Sequence, residues 1–158
     1  MMAGGLKQLR GKWFPARPDM KVVSGALREY YLRCNAYYDM IETGDKISHP
    51  QVGLLELLVR PGALYGDVGC GCGIVARHIG RTSLVRGYDV SPLAIQRAKV
   101  VEHDGSVLFE VADVSELPAA NDTFHGCYSF EVLEHVWDPI AVVREMVRVT
   151  RPGGFILV

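Results

Sequence analysis

The tightest constraint in this 158-residue chain is a five-residue cluster, Gly69-Cys70-Gly71-Cys72-Gly73, set directly behind a short apolar run, Ala63–Val68. Glycines after a strand let a ligand approach the main chain where a Cβ would block it. The residues that follow predict a helix through about Ile79, and its start would offer N–H groups and a positive dipole end to a phosphate or a carboxylate. The plain alternative is a tight strand-to-helix turn with no ligand.

The rest of the chain alternates in the same way. Lys21 to Gly44 carries apolar and aromatic residues at helical spacing (Val23, Leu27, Tyr31, Tyr37, Met40 and Ile41). Ser48 and Pro50 open a helix, and Arg60-Pro61-Gly62 closes it. A second apolar run, Leu84–Val90, contains Asp89, and Ser91-Pro92 fits the cap and first position of a helix reaching about Glu102. Asp104-Gly105 turns into a third strand, Val107–Ala112, which ends at Asp113. A fourth strand is expected around His125–Phe130, then a helical stretch at Glu131–Val136 and a helix at Pro139–Val149. Arg151-Pro152-Gly153-Gly154 then turns the chain into a fifth strand, Phe155–Val158. Strands and helices joined by short connections imply an α/β fold with a parallel sheet covered on both faces. Right-handed crossovers would bring Gly69, Asp89 and Asp113 to one edge of that sheet.

Charge and cysteine content set the context. Residues 1–28 carry Lys7, Arg10, Lys12, Arg17, Lys21 and Arg28 against Asp19 alone. That basic arm suits either a solvated leader or an anionic partner. It lacks the apolar core of a secretory signal, and no run is long enough to span a membrane. Cys34, Cys70, Cys72 and Cys127 have neither zinc-site spacing nor disulfide-scaffold density, so a reduced, cytoplasmic chain is expected.

Asp89 lies 20 residues after Gly69, the spacing at which a strand-end acid accepts from both ribose hydroxyls. A nucleoside ligand follows. Gly71-Cys72-Gly73-Ile74-Val75-Ala76 fits the dinucleotide pattern G-x-G-x-x-A. Asp67, two residues before the first glycine, argues the other way: its carboxylate would repel a pyrophosphate and attract an ammonium group. S-adenosylmethionine carries an ammonium, a ribose and an adenine, and no phosphate.

The run Leu64-Tyr65-Gly66-Asp67-Val68-Gly69-Cys70-Gly71-Cys72-Gly73 resembles the first motif of class I S-adenosylmethionine-dependent methyltransferases, D-x-G-x-G-x-G. Gly87-Tyr88-Asp89-Val90-Ser91-Pro92 is similar to that family's ribose segment. Ala112-Asp113-Val114 through Leu117-Pro118, then Phe124, is similar to its adenine segment. Val132-Leu133-Glu134-His135-Val136 and Arg148-Val149-Thr150-Arg151-Pro152-Gly153-Gly154 resemble its fourth and fifth strand regions. The resemblance covers about residues 50–158 and is nearest to the group that modifies small molecules and quinones. Three departures stand out. Gly66 replaces a large aliphatic residue, and is expected to weaken the strand and leave space beneath the loop. His125 replaces an aspartate, and Cys72 a small polar residue.

The resemblance implies an α/β, Rossmann-like three-layer sandwich and a set of roles. Asp67, Gly69, Cys70, Gly71 and Gly73 would hold the methionine end of S-adenosyl-L-methionine, and the product would be S-adenosyl-L-homocysteine. Asp89 would take the ribose and Val90 would lie against the adenine. Asp113 would accept from the adenine amino group beside Val114, and Phe130 would line the cleft near the sulfonium. The acceptor would be a small molecule, methylated at oxygen, nitrogen or carbon, with nucleic acid not expected. Methyl transfer depends largely on alignment, so a catalytic side chain is optional. His135 is the candidate base for a hydroxyl acceptor, against a purely local packing role. Glu131, Glu134 and His135 at i, i+3 and i+4 of a helix would share a face, an alternative site for Mg²⁺ or Mn²⁺. Two rival functions stay open: a cofactor-binding module without turnover, and an NAD(P)-dependent oxidoreductase.

Three regions are therefore expected: a basic flexible leader over 1–20, an N-terminal helical lid over 21–49 rich in tyrosine, and the cofactor domain over 50–158. The resembling fold places two more strands after the fifth. A chain ending at Val158 is expected to be a truncated domain whose exposed apolar edge at Phe155–Val158 pairs with a second copy in a homodimer.

Overall fold

In a computed structural model the described residues are 50–100 and 105–158. The expected leader and lid lie outside them, and so do Ser48, Glu102 and Asp104. Helix α1 (Pro50–Leu58) precedes β1 (Leu64–Val68), α2 (Ile74–Gly80), β2 (Leu84–Asp89), α3 (Pro92–Val100) and β3 (Val107–Val111). After a loop come β4 (Phe124–Tyr128), a single 3₁₀ turn (Leu133–His135), α4 (Pro139–Val149) and β5 (Thr150–Leu157).

The five strands form one sheet in the order β3-β2-β1-β4-β5, with every pair parallel. The expected α/β Rossmann-like sandwich is present. The connection runs outward from β1 to β2 and β3, then crosses to β4 on the other side of β1. That reversal places a crevice beyond the C-terminal ends of β1 and β4, where open α/β sheets bind ligands.

Alternation along the strands divides the core. One face carries Tyr65, Val85, Val107, Phe109 and Tyr128, packed against Leu55 of α1, Ala76 and Ile79 of α2, and Ile95 and Ala98 of α3. The other carries Val68, Tyr88, Phe124 and Cys127, packed against Val142, Met146 and Val149 of α4 and Val114 and Leu117 of the loop after β3. Two helices start where their caps dictate. Ser91 Oγ accepts from the Ala94 N–H at 3.2 Å, and Asp138 accepts from the Ala141 N–H at 3.0 Å ahead of Pro139.

Two local expectations are corrected. Gly66 leaves no space: a Cβ there would lie 2.9 Å from Cys127 Sγ and 3.3 Å from the Phe124 ring. The fourth strand supplies the bulk that the first omits. The Arg-Pro-Gly-Gly segment also does not delay β5. The strand begins at Thr150, opposite Phe124, and resumes its pairing at Phe155 opposite Gly126, so the segment is a bulge within it. Pro152 has no N–H to donate, and Gly153 takes φ +80°, a conformation suited to bulges. β5 forms an edge of the described sheet, but Phe155 and Leu157 pack on one core and Ile156 on the other, leaving Val158 the most exposed of the four.

Candidate cofactor site

The glycine cluster leaves β1 and folds back over the sheet. The Tyr88 carbonyl at the end of β2 accepts from both Gly69 N–H (2.7 Å) and Cys70 N–H (2.9 Å). A Cβ on Gly69 (φ +83°) would overlap the side chain of Val132, and one on Gly73 (φ +78°) would overlap the Phe109 ring. Both glycines are therefore required twice, by backbone conformation and by packing. Arg77 of α2 donates to the Cys72 carbonyl at 2.7 Å and pins the far side of the loop.

Asp89 stands at the end of β2, only 8% exposed. Its Oδ2 accepts from the Gly71 N–H and its Oδ1 from the Ser91 N–H, both at 2.8 Å. Burial raises its pKa, while the two backbone donors pull it down. A carboxylate retains further lone pairs for the two hydroxyls of a ribose. Val90, next in sequence, is exposed.

Asp67 lies at the bottom of the crevice, 4% exposed, and its Oδ2 has no hydrogen-bond partner. Burial pushes its carboxyl up to about 8, with the Tyr128 hydroxyl opposing, Asp89 reinforcing and the Ala76 N–H opposing. Two buried acids on neighbouring strands, neither ion-paired among the described residues, make a site that lacks only a positive charge. That fits the aminoalkyl end of S-adenosylmethionine and opposes a pyrophosphate.

Asp113 follows β3 at the same edge. Its Oδ1 accepts from the Ser115 N–H at 2.8 Å and from Ser115 Oγ at 2.6 Å, so the residue caps a turn and leaves Oδ2 outside those bonds. Val114 beside it is buried. Phe130 is half-buried, its ring centroid 5.6 Å from that of Tyr128.

The sequence profile of the methyltransferase-domain family matches residues 66–158. The chain belongs to that family. Its fold is that of the class I S-adenosylmethionine-dependent methyltransferases. The domain is 33% identical over 119 residues to 27-O-demethylrifamycin SV methyltransferase of Amycolatopsis mediterranei (strain S699), covering 72% of this chain and 43% of that enzyme. It is 36% identical over 106 residues to a ubiquinone biosynthesis O-methyltransferase of Sodalis glossinidius (strain morsitans), covering 62% of this chain and 43% of the relative. Among solved structures, an S-adenosylmethionine dependent methyltransferase from Mesorhizobium loti superposes with a TM-score of 0.61 at 28% identity, covering 70% of this chain and 53% of that one. The chain spans less than half the length of these curated relatives.

The methyltransferase domain brings Asp67, Asp89, Asp113 and the glycine loop to one edge, as their strand-end positions implied. It does not build the expected acidic helix face. Glu131 takes φ +54°, and only Leu133–His135 forms a 3₁₀ turn, so the i, i+3, i+4 geometry of an α-helix does not hold. Glu134 and His135 are exposed, with His135 Nε2 4.0 Å from Glu134 Oε1. Among the described residues no group of three or more His, Cys, Asp or Glu side chains is placed to hold a metal ion. Three further residues shape this edge without a local signal in the sequence. Val132 covers Gly69, Ser129 Oγ donates to the Val68 carbonyl at 2.7 Å, and Tyr128 pairs directly across from Asp67.

Proposed function

We propose that this chain is the cofactor-binding part of an S-adenosylmethionine-dependent methyltransferase acting on a small-molecule acceptor. The observation that carries the reading is the pair of buried carboxyl groups with no cation beside them, Asp67 and Asp89, at the ends of adjacent strands beside the glycine loop. Asp67 would hold the ammonium, and the backbone of Gly69–Gly73 the methionine carboxylate. Asp89 would take the ribose hydroxyls and Asp113 Oδ2 the adenine amino group. The bound cofactor supplies a methyl group on a sulfonium, open to in-line attack by an acceptor atom.

For a hydroxyl acceptor, exposed His135, in the turn beyond β4, is the side chain proposed to accept the proton. Its replacement by alanine should lower kcat for a hydroxyl acceptor and leave S-adenosylhomocysteine affinity unchanged. The O-methyltransferase relatives favour an oxygen acceptor, and an edge at β5 favours self-association into a homodimer. Free thiols at Cys70 and Cys127 suit a cytoplasmic setting, and among the described residues no helix is long and apolar enough to cross a membrane.

Calorimetric titration with S-adenosylmethionine, S-adenosylhomocysteine and NAD tests the cofactor assignment. We expect binding of the two sulfur nucleosides and none of NAD. The reverse result would establish the dinucleotide alternative. Methylated product from a panel of phenol, hydroxyl and amine acceptors would then separate an enzyme from a binding module.

A further inference from the structure

Asp67 and Tyr128 are directly paired residues of β1 and β4, the two strands that flank the topological crossover. Both are buried, Tyr128 completely. Asp67 Oδ2 and the Tyr128 hydroxyl each lack a well-formed hydrogen bond, yet they lie close enough for each to bias the other's ionisation. A buried polar atom without a partner is costly, and two of them side by side at the bottom of a ligand crevice are rarer still.

We propose that Tyr128 belongs to the ammonium end of the cofactor site, and that seating an aminoalkyl cation against Asp67 drives the proton of that carboxyl into solvent. The inference rests on the S-adenosylmethionine reading above and adds to it a residue and a linked proton. The step is balanced without redox or covalent chemistry. The Asp67 O–H bond breaks and its proton goes to bulk water. The carboxylate left behind accepts from the ligand's N–H and from the Tyr128 O–H, which keeps its own proton.

The surroundings favour this exchange. The titratable groups acting on Asp67 are Asp89 on β2, Tyr128 and Cys127 on β4, and Cys70 in the glycine loop, and none is a cation. The Ala76 N–H of α2 and the Tyr128 hydroxyl are the groups that favour the ionised carboxyl. Before a ligand arrives, desolvation holds the proton on Asp67. A fixed positive charge reverses that balance, and Tyr128 is then the donor that completes the carboxylate's bonding. The phenol's own pKa is driven well up by burial and by Asp67, so it serves as a donor and not as an acid.

The test is calorimetry of S-adenosylhomocysteine at pH 6.5 in two buffers of different ionisation enthalpy. About one proton should be released per ligand bound. 5′-Methylthioadenosine, which keeps the adenosine and the sulfur but lacks the aminoalkyl end, should release none. Affinity for S-adenosylhomocysteine should rise about tenfold between pH 6 and 7. Tyr128→Phe should weaken S-adenosylhomocysteine about tenfold at pH 7 and leave 5′-methylthioadenosine unchanged. Asp67→Asn should abolish the proton release, which provides a second route if the tyrosine variant misfolds. Binding of S-adenosylhomocysteine without proton release overturns the proposal, as does an equal loss for both ligands in Tyr128→Phe. Failure of both ligands to bind the parent chain overturns the cofactor reading and this inference with it.

Discussion

The Gly71 N–H donates to Asp89 Oδ2 at 2.8 Å, so the acid assigned to the ribose also closes the glycine loop from the neighbouring strand. Asp89→Asn keeps the size of the side chain but offers one acceptor oxygen where two are used. An NH₂ group would then face either Gly71 N–H or Ser91 N–H, donor against donor. We expect S-adenosylhomocysteine affinity to fall at least tenfold, the consequence of losing about 1.5–3 kcal/mol of charge-assisted bonding. Amide exchange at Gly71 should quicken in the same variant. Unchanged exchange at Gly71 would show that the loop is held by other contacts.

The raised carboxyl of Asp67 makes the stability of the ligand-free protein depend on pH. An unfolded aspartate ionises near 3.8, whereas the folded group ionises at about 8. Between those values the folded state holds a proton that the unfolded state has lost, so stability falls as pH rises through the window. The limiting slope for one proton is about 1.4 kcal/mol per pH unit. Asp89, also shifted upward by burial, acts in the same direction. Thermal unfolding between pH 5 and 8 should show a declining Tm in the parent chain and a flatter profile in Asp67→Asn. A Tm that climbs over that range would contradict the assignment.

Gly66 and Cys127 are cross-strand partners, and a methyl group on Gly66 would sit 2.9 Å from the sulfur. Gly66→Ala should cost about 1–3 kcal/mol through overpacking, since Phe124 closes the same space from above. Cys127→Ala alone leaves a small void. The double variant should recover part of the loss of Gly66→Ala, giving a favourable coupling of about 0.5–3 kcal/mol in urea denaturation. Strict additivity would mean that the strand, not the sulfur, sets the cost.

These three sites show what the sequence made legible. Asp67, Gly69–Gly73, Asp89 and Asp113 were readable because each sits at a strand end, where periodicity and turn residues announce the position. Tyr128 was not, because its relation to Asp67 depends on the pairing of β1 with β4, strands separated by two intervening strands in the chain. The complement of Gly66 was hidden for the same reason: Phe124 lies 58 residues away and meets it only through the sheet. The segment after β4 misled in a different way. Glu131, Glu134 and His135 share a face only if the backbone is α-helical from Glu131, and the positive φ of that residue breaks the register. The Arg-Pro-Gly-Gly segment carries strong turn residues, yet pairing on either side absorbs it as a bulge.

The loop that carries Asp113 is tied to α4 by one ion pair that recruits the main chain. Arg148 meets Glu145 through two bonds, Nε to Oε1 at 2.8 Å and Nη2 to Oε2 at 2.7 Å. The same guanidinium donates to the carbonyls of Leu117 and Ala119 and to Asn121 Oδ1, while Glu145 accepts from the Leu117 N–H. The Arg148 hydrogen bond lowers the Glu145 pKa, so the clamp is intact at neutral pH and weakens as pH falls below the ordinary glutamate range. Both side chains keep some solvent contact, so the pair alone is worth little, and the bonds to the loop supply most of its value. Arg148→Lys retains the charge but loses the fork that reaches five loop and helix acceptors at once. We expect it to cost about 1–2 kcal/mol in denaturant unfolding. Hydrogen exchange should accelerate over residues 114–121 while the β1–β2 amides stay protected. S-adenosylhomocysteine affinity should fall with it, because Asp113 is positioned by the same loop. Uniform acceleration across the sheet would instead show that the clamp supports the whole domain and not this loop.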